Sequence, residues 1–181
     1  MDNEYIDLMN NLKTSPLKSR NYNRYLCTKY PWLIPTNLWT GKEIENFDYT
    51  WTELDYVPDG WYIAFGEQMC SEIAEVLAKT KDKNFKYQII QIKEKFGELR
   101  WYDNGAPEDI YDELTNVIEK YTELSKKTCI FCGKPATQIS TGWVVPWCDD
   151  CVKQNKHAGD GYYFKPLVNF KNIQNGEDNG V

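Results

Sequence analysis

Four cysteines constrain this chain more than any other feature. Cys129 and Cys132 are separated by two residues, Cys148 and Cys151 likewise, and fifteen residues lie between the pairs. Each C-x2-C step turns two thiolates inward on one tight knuckle, and two knuckles complete a tetrahedron around one ion. Gly133, directly after Cys132, suits a knuckle whose amides must turn toward sulfur. The N-terminus, Met1-Asp2-Asn3-Glu4, is acidic and polar, with no apolar segment of a secretory signal behind it. No apolar run approaches the roughly 18 residues of a membrane span. The expectation is a cytoplasmic chain with reduced thiols, so the pairs read as metal ligands and not as disulfides. One structural Zn2+ per chain is expected, because four protein ligands leave no open coordination position. Iron in the same sulfur cage is the lesser alternative.

Other residues fit that frame. Cys27 and Cys70 lie far from the cluster among aromatic and aliphatic neighbours and read as inert buried thiols. Asp149 and Asp150, inside the second knuckle, read as solvated charges. His157 is the only histidine and is surplus to a complete four-sulfur site. A single histidine also removes most triad and histidine-metal mechanisms.

The 181 residues suffice for one domain with a small appendage, and seven tryptophans supply much apolar area. Net charge is −6, a poor default for wrapping nucleic acid, so nucleic acid is not the expected partner. Apolar residues at helical spacing predict N-terminal helices over about 4–30, the second capped at Ser15-Pro16 and stopped by Pro31. The alternation of Phe47, Tyr49 and Trp51 suggests a short strand, and Pro58-Asp59-Gly60 a turn. A helix is expected from Gly66 to Lys79. Residues 84–93 and 98–103 read as an antiparallel hairpin turning near Gly97, followed by a helix over about 107–125. The fold class is therefore α+β: a small antiparallel sheet packed with helices, plus a C-terminal four-cysteine zinc ribbon. The expected division is an α+β domain over 1–127, the ribbon over 128–157 and a tail over 158–181.

Two surfaces are candidates for binding. Between Lys79 and Arg100 there are seven cations and three anions, a local excess of four positive charges in an acidic protein. The hairpin thus offers a candidate anion-binding face of Lys93, Lys95, Arg100, Trp101 and Tyr102, with Arg100 or Lys93 on a phosphate and Trp101 or Tyr102 stacking on a base. The bland alternative, cross-strand ion pairs over a core hairpin, is the more common outcome. Between the knuckles, Trp143 and Trp147 form either a partner-binding tip or packing for the ribbon. No phosphate loop, nucleophile elbow, zincin helix or kinase signature is present.

The string Ile92-Lys93-Glu94-Lys95-Phe96-Gly97-Glu98-Leu99-Arg100-Trp101-Tyr102 resembles the signature of a family of uncharacterised phage and prophage proteins. These also share an upstream Asp-x-x-Pro-x-Gly-Trp, here Asp55, Pro58, Gly60 and Trp61, and a closing C-x2-C-G-x-P, Gly-Trp and C-x2-C. The similarity spans roughly residues 50–151. Glu98 departs from the pattern, standing where relatives often have glycine. The resemblance brings no activity with it. It implies a mobile-element origin and interference with host machinery or defence. The expected function is a non-enzymatic phage-type binding protein that sequesters or inhibits a host protein or a small anionic, nucleotide-like ligand. The alternatives are an enzyme acting on a nucleotide or phosphodiester, with Glu94 or Glu98 as base and Arg100 or Lys95 as stabiliser, and a nucleic-acid-binding zinc ribbon.

Overall fold

The structure is a computed structural model that describes residues 3–37, 39–154 and 163–167. The chain is α+β, as its patterning requires. Helices α1 (Asn3–Lys13) and α2 (Arg20–Lys29) open it. The second starts later than Ser15-Pro16 suggests: Ser19 is the cap, its hydroxyl accepting from the Tyr22 amide at 3.2 Å, and Lys18 has a positive φ. The expected strand at Phe47–Trp51 is absent. Asn46 and Tyr49 both have positive φ, which breaks extended pairing, and the alternating rings cluster, Phe47 against Tyr49 at 5.0 Å and Trp51 at 6.4 Å.

Pro58-Asp59-Gly60 is not a free turn but the start of a helical run. Helix α3 (Asp59–Trp61) passes into a π-helical turn (Tyr62–Gly66) and then α4 (Glu67–Leu77). Proline presets φ at the residue before the helix, where its missing donor costs nothing. Strands β1 (Ile89–Lys95) and β2 (Glu98–Asp103) pair as the expected hairpin, β1 starting later than residue 84. Its two-residue loop is Phe96-Gly97, both at positive φ (55° and 77°), the pattern of a type I′ turn. Helix α5 (Tyr111–Ser125) begins four residues past Pro107, after a turn. The C-terminal part adds β3 (Gln138–Ser140), β4 (Pro146–Trp147), α6 (Asp149–Gln154) and β5 (Phe164–Pro166), with β3 central and antiparallel to both neighbours. No described helix is long and apolar enough to cross a membrane.

Contacts divide the chain into two units. The first comprises residues 1–56, 67–92 and 101–118; the second comprises 57–66, 93–100 and 119–181. The ribbon thus shares its unit with the 57–66 segment, the hairpin turn and the end of α5. The first unit is built on α2 and α4, with Leu26, Leu54, Met69 and Ile73 fully buried. Its polar centre is Glu67, which accepts from Tyr25 at 2.7 Å, Lys29 at 2.8 Å and Tyr22 at 3.3 Å. Asp55 accepts from buried Asn23 at 2.8 Å and from the Thr52 amide at 2.9 Å, so the aspartate of the upstream motif is a local brace. The second unit packs Trp61, Tyr121, Ile139 and Trp147 with almost no exposure.

Burial works to raise the Glu67 carboxyl pKa, but the hydrogen bonds from Lys29 and Tyr25 and the Lys29 charge outweigh it and hold the group below its ordinary 4.5. A carboxyl depressed in the folded state stabilises above its unfolded pKa, and that contribution is lost as pH falls through the folded value. Thermal melts of the wild type from pH 4.5 downward should therefore show a loss of Tm that Glu67→Gln shows less of. Equal acid sensitivity of the two proteins would refute the role assigned to this carboxylate.

Candidate metal centre and aromatic tip

The four thiols that sequence spacing singles out converge. The Sγ atoms of Cys129, Cys132, Cys148 and Cys151 all lie within 4.8 Å of one another, and none is disulfide-bonded. The Cys132 and Cys148 sulfurs are 3.4 Å apart, far beyond the roughly 2.05 Å of a covalent bridge. A tetrahedral ion with metal–sulfur bonds of about 2.3 Å requires sulfurs about 3.8 Å apart, inside this range. The donor set fits one metal ion held by four protein sulfurs, a closed arrangement in which a bound ion would supply folding energy and keep no open coordination position.

Local backbone geometry builds both knuckles. In the first, the Cys129 amide donates to Lys134 O (2.8 Å) and the Gly133 amide to Cys129 O (3.0 Å), with Gly133 at φ +78°. The second knuckle opens α6, where the Val152 amide donates to Cys148 O. Asp149 and Asp150 are not ligands. Asp149 accepts from Thr137 (2.7 Å) and Gln138 (2.8 Å), while Lys134 Nζ reaches Asp150 at 2.7 Å and ties one knuckle to the other. His157 lies outside the described residues.

The upstream Gly60-Trp61 pair closes on this site. The Gly60 amide donates to Ile130 O at 2.9 Å, and the fully buried Trp61 indole donates to Thr128 O at 2.9 Å. A Cβ on Gly60 would overlap the Cys129 carbonyl oxygen and stand 2.7 Å from the Gly133 nitrogen; one on Gly133 would stand 2.6 Å from Gly60 O. The two glycines therefore let two backbones touch. Gly60, expected in a turn, is instead the point of backbone contact, and the glycine–tryptophan step is its mark in the sequence.

The expected anion-binding residues do not share one face. Adjacent strand residues point to opposite sides, so Arg100 and Trp101 diverge. Trp101 is 9% exposed, donates its indole N–H to the Tyr87 hydroxyl at 2.8 Å and meets Trp32 edge-on at 6.3 Å. It is a core residue of the first unit, not a stacking platform. Tyr102, also in the first unit, is exposed. Lys93, Lys95 and Arg100 belong to the second unit. Arg100 is paired with Glu98, which is only 4% exposed and also accepts from Lys126 at 3.0 Å. Burial opposes the charge on Lys126, yet its hydrogen bonds to Glu123 and Glu98 raise its pKa. Cys27, as expected, is an inert buried thiol, pushed up to about 12 by burial and then by Asp55.

The two ribbon tryptophans also separate. Trp147 is 0% exposed, packed against Phe131 (4.3 Å) and Phe164 (5.2 Å), with its indole N–H on Ser140 Oγ. It is packing for the ribbon and not a partner-binding tip. Trp143 is 45% exposed, and its indole N–H donates to Glu94 Oε2 at 3.1 Å. The other oxygen of Glu94 accepts from the Gly97 amide at 2.7 Å. One carboxylate thus pins Trp143 to the hairpin turn, where Phe96 is 60% exposed with Lys95 Nζ 5.4 Å from its ring centroid. Phe96 is not among the residues the sequence singles out, and Glu94 holds the tip instead of acting as a base; phenylalanine before glycine in a two-residue hairpin loop is the cue. No family model, curated protein or solved structure matches the chain.

Gly60→Ala should lower stability by at least about 2 kcal/mol, because a backbone must shift. It should also reduce metal content, measured by elemental analysis of purified protein. Gly142→Ala, at φ +86° with nothing within 4 Å, should keep its metal and lose about 1 kcal/mol. Full metal content in Gly60→Ala would separate this contact from the metal site.

Proposed function

We propose that this chain is a non-enzymatic binding protein of the phage type that occupies a host protein through the aromatic tip of its second unit, with a counter-defence role. The observation that carries the reading is Phe96. A bulky side chain at positive φ in a type I′ turn is strained by about 1–3 kcal/mol, and asparagine or glycine would serve the turn better. The ring nevertheless stands exposed, so folding gives no reason for it. Trp143 is tied to the same turn through Glu94, and rigid exposed aromatics are the usual anchors of protein interfaces. An exposed ring at a hairpin turn suits a partner's apolar pocket.

The metal proposed for the four-thiolate cage is zinc, the common occupant of such closed sites. Its role is to fix the loop that carries Trp143. The enzymatic alternative loses support because both carboxylates it needs are engaged: Glu94 takes two donors, and Glu98 is buried with Arg100 and Lys126. A nucleic-acid-binding ribbon would need a cationic track with several stacking rings, and a compact tip with one pinned carboxylate does not resemble that.

A photo-crosslinking residue placed at 96 or 143 in cells of the natural host should capture the same protein. The same residue at exposed Tyr56 should not. Phe96→Asn should raise stability by about 1 kcal/mol while abolishing that partner's binding. Crosslinks no richer at 96 and 143 than at 56, or a destabilised Phe96→Asn, would overturn the reading. Zinc content well below one per chain in protein purified without chelator would overturn the metal assignment.

A further inference from the structure

We propose that the first unit carries a binding site for a nucleoside phosphate in the cavity walled by Trp32, Phe85 and Tyr87. The cavity has a volume of 660 Å³, inside the range of roughly 300–1,000 Å³ typical of small-molecule sites. It uses none of the residues of the aromatic tip, so the two proposals stand or fall separately.

Its walls are built, not incidental. Trp32 meets Tyr87 edge-on at 5.5 Å, and Phe85 lies 6.4 Å from the same ring. Tyr87 cannot swing, because its hydroxyl donates to Asp103 at 2.7 Å and accepts from Trp101 at 2.8 Å. Burial, then the Asp103 charge, raises its pKa far above the ordinary value, so the ring stays neutral. The segment carrying Phe85 and Lys86 is fastened by Asn104, which donates to Lys86 O at 2.8 Å and accepts from the Gln88 amide at 2.9 Å. The opposite rim carries Lys42 and Glu43. It is closed by the Thr36–Glu43 bridge and by the Asn37 amide on Lys42 O at 2.8 Å. Gln88 Nε2 joins the two rims through Gly41 O at 3.3 Å.

This lining selects a ligand by chemistry. Trp32, Phe85 and Tyr87 line the cavity with Ile34 and Leu77, an apolar wall suited to a planar ring. Lys42 and Lys86 on the two rims, against the single carboxylate of Glu43, leave one net positive charge in a protein of net charge −6. Both are point charges suited to a phosphate, and Glu43 suits a ribose hydroxyl or base amino group. A heterocycle joined to a phosphate through a sugar satisfies all three.

The test is titration of the full chain with N-methylanthraniloyl-labelled AMP and GMP, followed by fluorescence. The expected result is saturable binding tighter than about 1 mM, reversed by the unlabelled nucleotide. Adenosine and guanosine, lacking phosphate, should compete at least about tenfold less well. Lys42→Glu/Lys86→Glu, two exposed positions, should keep the wild-type melt and bind at least about tenfold more weakly; Lys42→Arg/Lys86→Arg should restore binding. Phe85→Ala should weaken both nucleotides. No displacement by unlabelled nucleotide, equal competition by the bare nucleosides, or unchanged affinity after charge reversal would each overturn the proposal. Tighter binding of a single-stranded oligonucleotide than of either mononucleotide would also overturn it, in favour of a nucleic-acid surface.

Discussion

The second unit depends on one backbone contact, the approach of Gly60 to the first cysteine knuckle. Everything else there follows from two chain segments lying closer than any side chain permits. The Gly60 amide caps the carbonyl of Ile130, Gly133 turns beneath it, and Trp61 fills the space beside them. Thiolates need a rigid frame to converge on one ion, and C-x2-C alone gives a knuckle but no fixed orientation for it. Here the orientation comes from a helical segment that precedes the ribbon, and from the Lys134–Asp150 pair that links the knuckles. A metal ion bound in this frame adds its free energy to a fold already committed to that geometry.

Much of the fold is legible in the sequence because its signals are local. The four cysteines converge as their spacing requires, and the hairpin and the helices appear within a few residues of where periodicity puts them. The expectations that fail do so where a positive φ or a distant partner sets a residue's role. Ser15-Pro16 has every local mark of a helix start, yet the chain waits for Ser19. Phe47, Tyr49 and Trp51 alternate like a strand, but positive φ at Tyr49 converts the alternation into a ring cluster. Gly60 reads as a turn residue until the knuckle that touches it is known.

The candidate sites show the same division. Cysteine chemistry is written in spacing and survives intact. The aromatic and cationic face is inferred from composition along β2, and composition does not say which side of a strand a residue faces. Arg100 goes to Glu98 and Trp101 to the core, because neighbours on a strand diverge. The cavity of the first unit is invisible in sequence: Trp32 and Lys42 lie in one stretch of chain, Phe85 and Tyr87 in a distant one, and no motif joins them. Trp143 and Trp147 differ by four positions and look equivalent. Ser140 decides between them, taking the indole N–H of Trp147 and donating to the carbonyl of Trp143.

The contact between Trp61 and the ribbon also fixes an order of events during synthesis. The indole N–H of Trp61 finds its acceptor 67 residues later in the chain. Closing so long a loop carries an entropic penalty that local helix formation does not. While the ribosome is still extending the chain toward Thr128, Trp61, Tyr62 and Phe65 lack the surfaces that bury them. The last thiolate, Cys151, emerges later still. The burial of Trp61 therefore waits for the C-terminal part of the unit, whose last described strand, β5, pairs with β3 only after the second knuckle has been made. Until then the exposed segment is a natural client for chaperones.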